Sequence, residues 1–400
     1  MCHQPFVFVP VGAAPCGGPH CLSRRDFFYG CRPKFLLQAD YTEKTLVLKF
    51  YLCLIDTVVI VGRPAIKKIP PAKAAGAGTQ KQERLKMSDT KEKTPRLDVD
   101  GPRRRAVLKK CRLRPGQIWV DKLKGHRVGV IDARDKSGVE KLFGGEKADI
   151  MINDPPYNVA VGGANTRGLF RTKLDKYMEF SRAWVENAMS VMAKNSSFYV
   201  WLGADLRDGF QPLPDFMLMM REFEGFVPKN FITMRNQRGY GTQQNWMWVR
   251  QELLYYTIGK PDFKVVYTKI PRILKGYYKE VGGKITENSG RSRSDFIRPG
   301  NVWVDIQQIF YRLEENVAGC YAQKPLAAIE RIMEASSKKG GLAGDFFSHS
   351  GTTLIAGEKL GRKVFTCDND PVFAEITIRR LEHFRKTGKS GWQWNDPFGG

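Results

Sequence analysis

Strands and amphipathic helices are predicted in alternation from about residue 112 onward. The apolar runs at 148–153 and 196–203 have the length of buried strands, and residues 173–194 between them carry apolar positions at helical spacing. Those positions are Tyr177, Phe180, Trp184, Ala188 and Val191. The interval therefore predicts a strand, a helix and a second strand in succession.

Other segments continue this pattern on both sides. The further predicted elements are a strand ending at Asp132, helices at 137–145, 212–224, 324–337 and 352–361, and a strand at 363–368. Alternating strands and helices are typical of α/β proteins. We therefore predict an α/β fold with an open, mostly parallel sheet and helices on both faces.

The N-terminal part of the chain differs from the rest in composition and in hydrophobic periodicity. Residues 1–62 show no clear periodicity, and residues 63–105 are rich in proline, alanine, glycine and lysine, which is typical of a disordered basic linker. A polar stretch then follows Met87. We predict that residues 1–86 are a poorly defined appendage, or the product of an over-long translation start, and that residues 87–400 form the main domain.

The chain is strongly basic. Its 400 residues contain 65 lysines and arginines against 41 acids, which gives a formal net charge of +24. A basic excess of this size favours a polyanionic partner, and nucleic acid is the first candidate. The alternative is a charge that serves solubility or belongs to an unusual tail.

Cysteines and apolar runs indicate the compartment. The eight cysteines include no Cys-x-x-Cys pair, so we expect free thiols in a reducing cytoplasm and no metal site. The apolar run 46–62 contains Lys49 and Asp56 and is marginal in length for a membrane span. We therefore expect a cytoplasmic protein without a membrane partner.

The sequence Asp154, Pro155, Pro156, Tyr157 directly follows the predicted strand at 148–153. Open α/β sheets bind ligands at the carboxyl ends of their strands. Pro156 biases Pro155 toward an extended conformation, so the Asp154 carboxylate and the Pro155 carbonyl become two acceptors of fixed direction. An exocyclic amine offers two donors, and Tyr157 is suited to stack on its base. The alternative is a proline-rich turn with Tyr157 in the core.

Asp-Pro-Pro-Tyr resembles the catalytic signature of amino methyltransferases that act on adenine N6 or cytosine N4. Residues 322–371 resemble the cofactor-binding segment of these enzymes: a Lys-Pro helix start, a turn from Asp345 to Thr352, and a strand ending in Asp368. The catalytic motif comes first, which is the permuted order of the beta class of DNA methyltransferases. The resemblance covers about 117–385 and implies the S-adenosylmethionine-dependent methyltransferase fold.

The resemblance also implies cofactor contacts. Asp368 would hold the ribose hydroxyls, Asp132 the adenine, Lys324 the methionine carboxylate and Asp345 the amino-acid end, while Phe347 would pack near the adenine or the sulfonium. The remaining expected cofactor residues are Ser348, Ser350, Gly351 and Thr352. The alternatives are helix capping or a solvated turn for the two strand-end acids and a surface position for the lysine.

Two positions depart from the family pattern. Phe346 stands where the family usually has proline, and His349 stands where it usually has the first glycine of the turn. Histidine tolerates a left-handed backbone better than most residues do, but less well than glycine. The ring at position 349 is expected to narrow the cofactor pocket.

Residues 228–300 are crowded with arginine, lysine and aromatic side chains, and they occupy the interval of the target-recognition region in beta-class enzymes. The stretch 245–259 predicts core strands, whereas 276–295 predicts an exposed DNA-binding loop. The residues expected to contact DNA are Arg235, Arg238, Lys275, Lys279, Arg291 and Arg293. A solvated charged face is the alternative.

The resemblance implies a DNA amino methyltransferase that uses S-adenosylmethionine and acts on a base flipped out of double-stranded DNA, with adenine N6 favoured over cytosine N4. A nucleoid-associated cytoplasmic enzyme, with or without a cognate restriction endonuclease, fits this expectation. Methylation of RNA or of a protein glutamine is a second hypothesis, which the motif order disfavours. A non-catalytic DNA-binding protein on the same scaffold is a third.

Overall fold

The computed structural model describes residues 36–42, 45–51, 96–157, 174–203, 212–240, 244, 246–272, 278–287, 294–309, 314–392 and 398. The chain divides into two units, Met1–Lys86 and Met87–Gly400. In the first unit, strands β1 (Leu36–Thr42) and β2 (Thr45–Tyr51) pair antiparallel. The roles predicted for residues 1–86 and 228–300 stay predictions.

The second unit contains seven α-helices and eleven strands within the described residues. The helices are α1 (Pro102–Lys109), α2 (Lys136–Phe143), α3 (Leu174–Val191), α4 (Pro212–Met219), α5 (Leu326–Ser336), α6 (Thr352–Leu360) and α7 (Pro371–Thr387). The strands are β3 (Ile118–Val120), β4 (Arg127–Val130), β5 (Ala148–Asn153), β6 (Met192–Leu202), β7 (Phe226–Tyr240), β8 (Trp248–Ile258), β9 (Tyr278–Val281), β10 (Lys284–Glu287), β11 (Val302–Trp303), β12 (Leu342–Asp345) and β13 (Lys363–Asp368).

Nine of the described strands form one sheet in the order β11-β7-β8-β6-β5-β12-β13-β4-β3. The five central strands, from β6 to β4, are all parallel. Strand β8 pairs antiparallel with both of its neighbours, and β3 pairs antiparallel with β4. The predicted mostly parallel α/β sheet is therefore confirmed.

Both faces of the central strands are buried under helices. Along β6, Phe198, Val200 and Leu202 face one apolar cluster, whereas Tyr199 and Trp201 face the other. The first cluster receives side chains from α2, α3 and α4, and the second receives them from α5, α6 and α7. Successive side chains of a strand point to opposite faces of the sheet, and here both faces are apolar. These strands are therefore continuous apolar runs in the sequence.

The chain connections reverse direction between β5 and β12. From β5 the chain passes through α3 to β6 on one side, and from β12 it passes through α6 to β13 on the other. Such a reversal opens a crevice at the carboxyl ends of the two strands, which is where doubly wound sheets bind ligands. The fold therefore places a binding site after Asn153 and Asp345.

Several predicted boundaries differ from the observed ones. The strand predicted to end at Asp132 ends at Val130, because the Asp132 carboxylate accepts the Arg134 N–H at 2.9 Å in a turn that an extended strand excludes. The helix predicted over 212–224 ends at Met219 and continues as one 3₁₀ turn. Among the described residues, no helix has both the length and the apolar character needed to cross a bilayer.

Candidate active site

The two motif-bearing strands are directly paired. Strands β5 and β12 run parallel, with Ile150 opposite Ala343 and Met151 opposite Gly344. Just beyond the pairing, the buried Asn153 side chain accepts the Phe346 N–H at 3.1 Å through its Oδ1 atom. This bond ties the start of the Asp-Pro-Pro-Tyr motif to the start of the glycine turn.

Asp154 makes two contacts within the site. Its Oδ2 atom forms an ion pair with Lys324 Nζ at 2.6 Å, and its Oδ1 atom accepts the Tyr157 hydroxyl at 2.7 Å. The Asp154 side chain remains 25% exposed, while the Lys324 side chain is only 8% exposed. A carboxylate has about four lone-pair positions, so these two bonds leave Asp154 able to accept two further donors.

The Tyr157 ring is fixed on several sides. Lys324 Nζ lies 5.1 Å from the ring centroid, and a Cβ atom placed on Gly203 would lie 2.7 Å from Tyr157 Cδ2. Glycine at position 203 therefore allows the ring to pack against the end of β6. The backbone of the motif is also held, because the Tyr177 hydroxyl donates to the Pro156 carbonyl at 2.7 Å.

The turn after β12 contains a left-handed residue that is not glycine. His349 has a φ of 44°, and its ring lies 4.7 Å from the Phe373 ring. Burial lowers the pKa of His349 to about 4, so the imidazole is neutral at pH 7. Gly351, at a φ of 75°, has no room for a side chain, because a Cβ atom there would meet Thr377 Cα at 2.9 Å.

The second departure, Phe346, belongs to the core. Its side chain is 1% exposed and packs edge-on against Phe143 with ring centroids 6.2 Å apart. Phe346 therefore anchors the turn to α2. The phenylalanine at this position adds apolar packing beside the cavity.

Two carboxylates end the neighbouring strands β12 and β13. Burial raises the pKa of Asp345 and of Asp368 to about 7. Asp368 accepts the backbone N–H of His349 and of Asp370, each at 3.0 Å. One lone pair on each Asp368 oxygen remains for a ligand, and hydroxyl donors there would stabilise the charged form of this acid.

Asp132 follows β4, the strand beside β13, and its carboxylate accepts hydrogen bonds from Arg134. Arg134 donates to it from Nε at 3.0 Å and from Nη2 at 2.6 Å. This guanidinium lowers the pKa of Asp132 below its usual range. Asp132 is therefore an anionic side chain at the edge of the crevice.

A cavity of about 300 Å³ joins these groups. It is lined by the four residues of the Asp-Pro-Pro-Tyr motif and by Asp132, Lys324, Phe347 and Asp368. The volume lies in the range of about 300–1,000 Å³ that is typical of small-molecule sites. The structure thus places all of these predicted site residues around one cavity.

Five predicted cofactor residues do not line this cavity. All five are buried: Asp345 ends β12, Ser348, Ser350 and Gly351 lie in the turn that follows, and Thr352 begins α6. The buried Arg380 guanidinium donates to the Ser350 carbonyl at 2.8 Å and to Thr352 Oγ1 at 3.0 Å. These bonds hold the turn to the buried Arg380, and the cofactor contacts of the five residues stay predictions.

Sequence reasoning missed a further set of cavity residues. These are Arg96, Asp98, Ala133, Phe180, Tyr321, Ala322, Asn369, Asp370 and Phe373. Helical spacing predicts Phe180 as part of an apolar core stripe and carries no signal of its position at the cavity. Residues 96–98 fall in the stretch that composition predicts as linker, so no motif marked them.

The predicted DNA contacts are described only in part. Arg235 is exposed on β7, opposite Arg250 of β8. Lys275, Arg291 and Arg293 lie outside the described residues, and so do the side chains of Arg238 and Lys279. The prediction of core strands over 245–259 holds at Tyr255 and Tyr256, which are 8% and 5% exposed, but not at Trp246 and Met247, which are exposed before β8 begins.

The described residues contain no cluster of three or more histidine, cysteine, aspartate or glutamate side chains suited to a metal ion. The site instead combines a doubly wound sheet, a cavity at its switch point and an Asp-Pro-Pro-Tyr motif beside a glycine turn. Together these features define the amino methyltransferase class of α/β proteins.

Family comparison agrees with this class. The family model of N6/N4 DNA methylases matches residues 148–379, which is more than half of the chain. The chain therefore belongs to the N6/N4 DNA methylase family, and the predicted family is confirmed.

Curated relatives show the same likeness over most of their lengths. The chain is 25% identical to the Type II methyltransferase M.HpaI of Haemophilus parainfluenzae over 234 residues, which cover 58% of this chain and 68% of the relative. It is 26% identical to the DNA adenine methyltransferase YhdJ of Escherichia coli (strain K12) over 252 residues, covering 60% and 79%.

Solved structures with a related fold were also found. The complex of M1.HpyAVI with SAM aligns with a TM-score of 0.42 at 16% identity and covers 64% of this chain and 98% of that chain. The cytosine-N4-specific PvuII DNA methyltransferase aligns with a TM-score of 0.46 at 13% identity, covering 67% and 89%.

Proposed function

We propose that this protein transfers a methyl group from S-adenosylmethionine to the exocyclic amine of a base flipped out of double-stranded DNA, most favourably to N6 of adenine. The observation that supports it most directly is the shared cavity, which is lined by both Asp154 and Asp368. Asp154 is suited to bind a base amine and Asp368 to bind a ribose, so one cavity can bring both reactants together.

The residues present fit the cofactor. Asp368 retains acceptor positions for ribose hydroxyls, and the rings of Phe347 and Phe180, whose centroids are 6.3 Å apart, offer an apolar wall for the nucleoside. Asp132 is an anionic acceptor at the neighbouring strand end. When bound, S-adenosylmethionine supplies an electrophilic methyl group on a sulfonium.

Asp154 and Tyr157 are the residues proposed to act on the base. Asp154 accepts hydrogen bonds from the amine, whose lone pair otherwise delocalises into the ring. Its orientation is fixed from two sides by Lys324 and Tyr157. The Tyr157 ring stacks on the base and holds it in the cavity. Rate acceleration comes mainly from this positioning and from the negative charge of Asp154 beside the amine.

The DNA is proposed to approach along the edge of the sheet that carries the cavity. Leu202, at the carboxyl end of β6, pairs with Glu252 near the start of β8. The connection from β7 to β8 therefore extends from the same edge as Asp154. Beside it, Arg235 is exposed, and Trp246 in the connection is 89% exposed. Cationic and aromatic side chains there suit phosphates and unstacked bases.

Adenine is favoured because the Escherichia coli relative YhdJ is a DNA adenine methyltransferase. Cytosine N4 is the second candidate, since the matched family comprises both N6 and N4 DNA methylases. The Type II relatives also support a pairing with a cognate restriction endonuclease as part of the proposal. A nucleoid-associated cytoplasmic location follows from the proposed DNA substrate.

Incubation of the full chain with unmethylated genomic DNA and S-adenosylmethionine tests the proposal. We expect nucleoside mass spectrometry to show N6-methyladenine, and sequencing to place it at one recurring site. N4-methylcytosine would instead establish the second candidate. The Asp154→Ala variant should transfer no methyl group while binding DNA like the wild type. Cofactor binding without methylation of any DNA, RNA or protein substrate would contradict the proposed activity.

A further inference from the structure

A short segment outside the matched family region forms part of the cavity wall. Arg96 and Asp98 line the cavity, although the family match begins only at residue 148. Leu97 between them is 1% exposed, and its N–H donates to the Gly319 carbonyl at 3.0 Å. The segment is therefore anchored to the loop that leads into Lys324.

The same segment is anchored on its other side to the ribose end of the site. Arg104 donates to the Leu97 carbonyl at 2.7 Å and forms an ion pair with Asp370 at 2.7 Å. Asp370 in turn donates its N–H to Asp368. Contacts on both sides give residues 96–98 a defined position relative to the cavity.

The Arg96 guanidinium is oriented by two neighbours. Its Nε donates to Asp98 Oδ1 at 2.8 Å and its Nη2 to Asp98 Oδ2, while its Cζ atom lies over the Tyr321 ring, 4.6 Å from the centroid. Arginine has five N–H donors, and these bonds use two of them. The remaining three include both donors of Nη1, enough for a carboxylate.

The charges around the cavity decide which ligand group needs this arginine. Among the described residues that line it, the cations are Arg96 and Lys324, and the acids are Asp98, Asp132, Asp154, Asp368 and Asp370. S-Adenosylmethionine carries two positive groups, an ammonium and a sulfonium, and the acids of the cavity can neutralise both. Its one carboxylate requires a cation. Lys324 is already paired with Asp154 at 2.6 Å.

Backbone strain marks the same wall. Among the described residues, the non-glycine residues with a positive φ are Ala322 at 61° and His349 at 44°, and both line this cavity. Ala322 directly follows Tyr321, on which Arg96 rests. Left-handed backbone at a residue with a side chain costs about 1–2 kcal/mol, and such strain clusters at ligand sites.

We propose that Arg96, held by Asp98 and Tyr321, binds the carboxylate of the methionine moiety of S-adenosylmethionine. This inference rests on the proposed function and adds a cofactor-binding residue from outside the matched family region. It leaves Lys324 with Asp154, rather than with the carboxylate that sequence reasoning assigned to it.

Calorimetric binding of two ligands by the full chain, without DNA, tests this assignment. S-Adenosylmethionine and its decarboxylated form differ by the carboxylate alone. We expect Arg96→Ala to weaken S-adenosylmethionine binding by about 10- to 100-fold, as for the loss of a charged hydrogen-bonded pair. Binding of the decarboxylated ligand should change by less than about twofold. Arg96→Lys keeps the positive charge but lacks the paired N–H donors of the guanidinium. Its affinity for S-adenosylmethionine should therefore lie between those of wild type and Arg96→Ala.

Arg105→Ala is the matched control, because Arg105, in the helix α1 that follows the segment, pairs with Asp100 at 2.9 Å and does not line the cavity. Equal losses for both ligands in Arg96→Ala would overturn the assignment and make Arg96 a structural wall residue. A preference for the carboxylate that disappears in Lys324→Met, but persists in Arg96→Ala, would return the role to Lys324. If the wild type binds neither ligand, the proposed function itself fails.

Discussion

Lys324 Nζ lies 2.6 Å from Asp154 Oδ2, across a sequence separation of 170 residues. The lysine precedes α5 in the C-terminal half of the domain, and the aspartate belongs to the Asp-Pro-Pro-Tyr motif after β5. The contact therefore links the two halves at the point where the chemistry is proposed to occur. Lys324 also lies 5.4 Å from the Trp201 ring centroid, so its ammonium is enclosed by aromatic faces.

Replacement of Lys324 by methionine should lower the single-turnover methylation rate by about 100-fold. The carboxylate would lose the ion pair that fixes its orientation, and such preorganised interactions typically contribute about 10²–10³ in rate. Lys338→Met is the matched control, because Lys338 forms an ion pair of the same 2.6 Å length with Asp262 on the exposed surface. Equal rates for Lys324→Met and wild type would show that the pair has no role in catalysis.

Tyr157→Phe and Tyr157→Ala should separate the hydroxyl from the ring. The phenylalanine variant loses the 2.7 Å bond to Asp154 but retains the ring, so we expect base flipping to persist and the rate to fall by about 10-fold. The alanine variant also loses stacking worth about 1–3 kcal/mol per base. Fluorescence of 2-aminopurine at the target position reports flipping; a full signal in Tyr157→Ala would refute the stacking role.

Gly203→Ala should impair the same ring from the other side. The new Cβ would lie 2.7 Å from Tyr157 Cδ2 and 3.1 Å from its Cγ, so the ring must move. We expect a loss of methylation rate of at least about 10-fold, with little change in cofactor affinity, because a misplacement of about 1 Å is costly in a positioned site. Gly300→Ala, where a Cβ meets nothing within 4 Å, serves as the control.

The stability of Asp345→Asn relative to wild type should depend on pH. Burial raises the pKa of Asp345 to about 7, whereas an unfolded aspartate titrates near about 3.9. Between these values the folded wild type binds more protons than the unfolded chain, so its free energy of unfolding falls as pH rises. The slope reaches about 1.4 kcal/mol per pH unit.

The asparagine variant lacks this titration. Its free energy of unfolding minus that of wild type should therefore increase from about pH 4 to pH 7 and then level off. Urea denaturation of the ligand-free proteins at several pH values measures the difference. A difference that stays constant across this interval would mean that Asp345 titrates in the folded protein as it does in the unfolded chain.

At position 349, glycine should be more stabilising than alanine. Both variants lose the ring contact with Phe373, but only glycine relieves the φ of 44°. We expect His349→Gly to exceed His349→Ala by about 1 kcal/mol in free energy of unfolding. At the exposed helical position Lys141, the order of the same two substitutions should be reversed by a similar amount. The same order at both positions would contradict the strain.

The α/β class and most core elements were accessible from sequence. Strand β5 was predicted with its observed bounds, because an apolar run followed by Asp-Pro-Pro-Tyr has a sharp end. The end of β4 was misplaced by two residues, because a side-chain hydrogen bond between Asp132 and Arg134 stopped the strand. Periodicity does not report such local competition.

The sequence by itself determined which residue types follow each strand, because Asp154, Tyr157 and Asp368 are recognised from the residues next to them in the chain. Only the tertiary structure decided their partners. Strand order places β5 beside β12, so Lys324 contacts Asp154, and Arg96 lines the same cavity. The physical reason is that pairing of distant strands and burial of charged side chains depend on long-range packing, which no local pattern of residues encodes.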